Sequence, residues 1–128
     1  KMKKIQILMF IFFVMTLTVF SQQRESWKEM EEFHLVMSTT FHPAEDDNLN
    51  PVKEKSADLL FQAMAWQRSR VPLGYDALKT TAILKRLVEQ CFTLNDGVKK
   101  QKSDAELKLL ITGAHEIFHE IMEKCHKE

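Results

Sequence analysis

The sequence predicts an all-α protein: an antiparallel up-down-up-down four-helix bundle preceded by a signal peptide. Three observations carry this. Apolar residues recur at spacings of three and four in four separate segments. Breakers are scarce, with 3 Gly and 3 Pro in 128 residues, which suits long helices and argues against a many-turned β sandwich. The N-terminal segment has the grammar of an export signal.

In that segment Lys1, Lys3 and Lys4 form a positive region, and Ile5 to Phe20 is almost wholly apolar. Val19 and Ser21 fit the small-residue positions before a cleavage after Ser21, and Gln22-Gln23-Arg24-Glu25 turns polar at once. A retained anchor helix is the alternative, but the apolar stretch is short for a full span. The expectation is therefore a signal peptide at residues 1–21, a bundle domain at residues 22–128, and a periplasmic or secreted protein without membrane contact after cleavage. Lys+Arg and Asp+Glu both number 18, so no electrostatic case exists for nucleic acid or a polybasic membrane surface. A chain of this length buries one modest core.

The first helix is expected from Glu25 to Thr40, with Trp27, Met30, His34, Met37 and Phe41 as its inward seam. His42-Pro43 ends it, because a residue before proline disfavours the α region. The second begins at Asn50-Pro51, a cap followed by proline at the first helical position, and runs to Arg70. Leu59, Leu60, Ala63, Trp66 and Gln67 mark its inner side. The third follows Asp76 as N-cap and runs from Ala77 to Leu94 through Leu78, Ile83, Leu84, Leu87 and Cys91, with Asn95-Asp96-Gly97 as the stop. The fourth opens on the capping box Ser103-Asp104-Ala105-Glu106 and runs to His126. Its seam is Leu107, Ile111, Ala114, Phe118, Ile121 and Cys125, the cleanest heptad in the chain. A helical hairpin that completes its core by dimerising is the competing architecture, and a homodimer of the bundle is left open.

Cys91 and Cys125 fall far apart in this register, so an internal disulfide is not expected. An intermolecular bond or a cofactor role stays open in an oxidising compartment.

The histidines carry the chemistry. In an up-down bundle the first and last helices are antiparallel neighbours, which sets His34 near the level of His115 and His119, and Met30 near Met122 and His126. His115 and His119 lie four apart, about 40° around the axis, and can share one metal ion. Their H-E-x-x-H spacing also fits a zinc protease. No third ligand follows downstream and no sheet is present to hold a peptide, so that reading is set aside. The stripe His115, His119, Met122, His126 lies about 90° from the heptad seam, on its flank. His34 sits in the seam, where a buried imidazole needs a hydrogen-bond partner or a metal. His42 and Glu45, in the loop after the first helix, add an imidazole and a carboxylate suited to zinc or iron. Ordinary surface or hydrogen-bonded histidines are the plainer interpretation of each.

The C-terminal run Met122-Glu123-Lys124-Cys125-His126 resembles the haem-attachment end of the cytochrome c-prime family, exported four-helix bundles with C-x-x-C-H near the end of the last helix. Met122 stands where that motif has its first cysteine, leaving Cys125 alone to form a thioether. The helix order is also similar to the soluble b-type bundle cytochromes, whose axial ligands are a methionine early in helix 1 and a histidine late in helix 4. Met30 and His126 match those positions. The resemblance implies haem between the first and last helices and a redox partner protein for electron transfer. A second expectation keeps the fold and holds zinc, copper or iron through His34, His115 and His119 with His42 or Glu45; Met30, Met37 and Met122 would favour Cu(I). A third is a cofactor-free interaction or structural protein. With no nucleophile–base pair, phosphate-binding glycine loop or paired carboxylates, enzymatic turnover is not expected.

Overall fold

Four α-helices make up most of residues 26–127, the residues that the computed structural model describes. The expected signal segment, residues 1–21, lies outside the described residues. The helices are α1 (Lys28–Glu45), α2 (Asn50–Arg68), α3 (Ala77–Lys99) and α4 (Asp104–Lys124). They form a four-helix bundle: each packs on the next in chain order, and α4 closes on α1 through the thinnest of the four contacts. Among the described residues there is no strand, only an isolated antiparallel bridge between Tyr75 and His126, and no helix is long and apolar enough to cross a membrane.

α1 buries Phe33, Met37, Thr40, Phe41 and Ala44, with Trp27 buried just ahead of it. The expected seam is thus off by one residue in its middle. Phe33 points inward at 0 % exposure, and His34, about 100° further round the helix, is exposed. The two frames share Met37 and Phe41, and the larger apolar side chain takes the core. The helix also runs past its expected end. Pro43 sits inside the last turn, so Thr39 loses an N–H partner, yet α1 continues until Asp46 and Asn48 N–H close on the Pro43 carbonyl and Asp47 N–H on that of Ala44. Asp47 adopts φ 63° there, the left-handed turn that ends many helices. The pre-proline preference is a bias of His42 alone, and burial of Ala44 outweighs it. His42 and Glu45 therefore stand on a helix, not in a loop.

α2 buries Val52, Ser56, Leu59, Ala63 and Trp66. Gln67 is exposed and Leu60 half-buried, so the inner face is narrower than expected. α3 begins as the sequence predicts: Asp76 accepts from the Lys79 N–H at 3.1 Å. Leu78 in its first turn is 87 % exposed, outside the core. Asn95-Asp96-Gly97 does not stop the helix, which ends at Lys99. The reason is tertiary: buried Ser56 of α2 donates to Asn95 Oδ1 at 2.9 Å. α4 carries the complete capping box of Ser103 and Glu106 and buries Leu107, Ile111, Ala114, Phe118 and Ile121. Gly113 leaves room for the Gln90 side-chain amide of α3, since a Cβ there would meet Nε2 at 2.7 Å, and that amide donates to the Leu110 carbonyl at 3.0 Å.

The centre of the bundle is aromatic. Trp27 meets Trp66 edge-on at 5.6 Å, Phe33 lies 5.4 Å from Trp66 and 5.7 Å from Phe118. The Trp27 indole N–H donates to Ser69 Oγ at 2.8 Å. Such pairs contribute about 0.5–1.5 kcal/mol each beyond simple burial.

Candidate functional site

On the outer side of the α1–α4 contact, His115 and His119 face one another. Their Nε2 atoms are 3.1 Å apart and their rings 4.4 Å apart at 76°. Successive turns of α4 place them there, as the i, i+4 spacing requires. At that distance one Nε2–H donates and the other Nε2 accepts, so both imidazoles are not protonated at Nε2 together. His115 is clamped from the other side: its ring stacks on Phe41 of α1 at 3.7 Å and 14°. Burial is the main cause that lowers the His115 pKa from its ordinary 6.5, followed by repulsion from His119; Glu45 opposes the shift, and His42 adds to it. The neutral imidazole, the metal-binding form, is thereby favoured.

The Phe41–His115 stack sets α1's last turn beside His115. There His42 Nδ1 lies 3.1 Å from Glu45 Oε1, and the His42 ring is 5.7 Å from that of Phe41. Both side chains are exposed. At the far side of the pair, His119 Nδ1 is 4.0 Å from Glu123 Oε1. Among the described residues, no group of three or more His, Cys, Asp or Glu is already placed to hold one ion. The arrangement is a two-imidazole platform with a further histidine–carboxylate pair nearby.

His34 is exposed, not in the seam. Its ring lies flat on Phe118 at 5.2 Å and 11°, and Phe118 in turn lies 5.8 Å from the His119 ring.

Met30 and His126 meet a common neighbour. The Tyr75 hydroxyl is 3.9 Å from Met30 Sδ, and its ring is 5.0 Å from the His126 ring. Trp27 packs on the same tyrosine at 5.0 Å. His126 is no longer on the helix: α4 ends at Lys124 with Cys125 as its cap, and the chain crosses to the α2–α3 connection, where Asp76 N–H donates to the Cys125 carbonyl and Lys127 N–H to that of Gly74, both at 2.8 Å. The expected stripe of four thus stops at Met122, which is half-buried against the core. Beside His126 opens a cleft of about 690 Å³ lined by Asp76, Lys79, Glu123, Lys124 and Lys127, a charged surface unlike the apolar slot that a haem ring occupies.

Both cysteines are free and buried. Burial pushes the Cys91 thiol up to about 12. It also raises Cys125, with the Thr80 hydroxyl pulling the other way. Neither is a poised thiolate.

Tyr75 and Phe41 shape these neighbourhoods, and sequence reasoning assigned neither to a site. Phe41 was legible as an apolar seam residue, seven positions after His34 and next to His42. Tyr75, the single tyrosine, lies in an irregular connection where no periodicity applies. No protein-family model, curated protein or solved structure matches this chain.

Proposed function

We propose that this chain is an exported bundle, running up-down-up-down, that binds a transition-metal ion on its α1–α4 face through His115 and His119. The observation that carries the reading is the 3.1 Å between their Nε2 atoms. Two zinc–imidazole bonds at the tetrahedral angle set their nitrogens about 3.3 Å apart, so one ion replaces the shared proton with little motion. Imidazole donors suit zinc, copper or iron. The depressed basicity of His115 reduces proton competition near neutral pH. The role is ion holding or transfer, not turnover.

Equilibrium dialysis against Zn(II) and Cu(II) tests this. One ion per chain is expected, with binding lost in His119→Ala, an exposed position whose truncation leaves the core intact. No retained ion, or equal retention by the variant, overturns the reading.

The haem reading keeps one supporting observation, the convergence of Met30 and His126 on Tyr75. It requires that ring, packed on Trp27, to give way. A Soret band after reconstitution, lost in His126→Ala, would favour haem over the ion.

A further inference from the structure

We propose that His42 supplies a third ligand to the ion at His115 and His119, with Glu45 as its positioning residue, so that the ion joins α1 to α4. This rests on the metal reading above and extends it from one helix to two. His42 presents Nδ1 to the Glu45 carboxylate at 3.1 Å. A carboxylate only accepts, so Nδ1 carries the hydrogen and the Nε2 lone pair is bare. Metal-ligating histidines are usually held this way, with the second ring N–H given to a carboxylate or carbonyl. The bare nitrogen faces no fixed protein partner among the described contacts and belongs to a side chain that is 67 % exposed, free to turn.

Place supports the same conclusion. A continuous run of rings leads from His42 to Phe41 at 5.7 Å, from Phe41 to His115 at 3.7 Å, and from His115 to His119 at 4.4 Å. Helical continuation through Pro43 is what brings His42 and Glu45 there. The three imidazoles are not gathered in advance, so the third bond forms once the pair holds an ion, by joint rotation of the exposed His42 and Glu45 side chains with their hydrogen bond kept. The consequence is a bridge across the thinnest of the four neighbouring helix contacts.

Three proteins test this: the full chain, His42→Ala and Glu45→Gln, each loaded with Cu(II) for nitrogen counting by electron paramagnetic resonance and titrated with Zn(II). The expected result is three bound nitrogens in the wild type and two in His42→Ala, with zinc affinity about tenfold lower or more. In Glu45→Gln three nitrogens are kept, and affinity falls by less than in His42→Ala. Hydrogen exchange along the last turns of α1 slows on zinc addition in the wild type and is unchanged by zinc in His42→Ala. Two nitrogens and equal affinity in wild type and His42→Ala overturn the third ligand and leave the histidine pair standing. No bound ion in the wild type overturns both.

Discussion

His115 shows how a single side chain couples burial to pH. Its pKa lies below the ordinary 6.5, chiefly because burial against Phe41 disfavours the charged ring. An imidazolium over a phenyl face gains cation–π attraction, which acts in the opposite sense. Folding therefore favours the neutral form. Stability from this group is complete above the unfolded value of 6.5, falls as pH drops through the window between that value and the lowered one, and levels off below both. In metal-free protein the urea midpoint is expected to fall on acidification through that window, and to fall less in His115→Gln. A steeper acid loss in the variant would show that stacking, not burial, sets the sign, and an equal loss that His115 titrates alike folded and unfolded. The thiols give a second expectation at this scale. With both cysteines buried and Cys91 raised to about 12, neither should react with an aromatic disulfide reagent in native protein at neutral pH, and both should react in denaturant.

At the scale of helices, local signals succeed where nothing distant competes. α4 was legible almost in full because its heptad and its capping box agree. Ser103→Ala removes the bond that the Glu106 N–H donates at 3.2 Å and should lower stability by about 1 kcal/mol, read from chemical denaturation. Where tertiary contacts intervene, local signals fail. Asn95-Asp96-Gly97 looks like a stop, but Asn95 is a buried acceptor for Ser56. Asn95→Ala should cost about 1–3 kcal/mol by orphaning that hydroxyl; a variant within a few tenths of wild type would mean water satisfies Ser56. His42-Pro43 also looks like a stop. The sequence sets His42 and Glu45 in a loop there, whereas the helix carries them as its last turn. The α1 seam was ambiguous for a simpler reason: Met37 and Phe41 fit a frame through His34 as well as one through Phe33, and only packing against Trp66 and Phe118 decides.

For the whole molecule, the aromatic centre and the α1–α4 face are two sides of one arrangement. Phe118 touches Phe33 and Trp66 inside and carries His34 on its outer side. Trp66 is 0 % exposed, so Trp66→Ala should cost about 3–5 kcal/mol. That is a large share of the roughly 5–15 kcal/mol that holds a domain together, and Tm should drop accordingly. The histidine pair was visible in sequence as H-E-x-x-H on a helix. The seating of His34 on the outside of Phe118, the departure of His126 from the helix, and the Tyr75 ring against Met30 and His126 were not, because each depends on contacts between segments distant in sequence. The account stands on the two facing imidazoles taking one ion together. The most direct measurement follows their ring nitrogens by ¹⁵N magnetic resonance during zinc titration. The His115 and His119 Nε2 signals should move in concert and stop at one equivalent. Signals that stay fixed, or that shift independently beyond one equivalent, would contradict it.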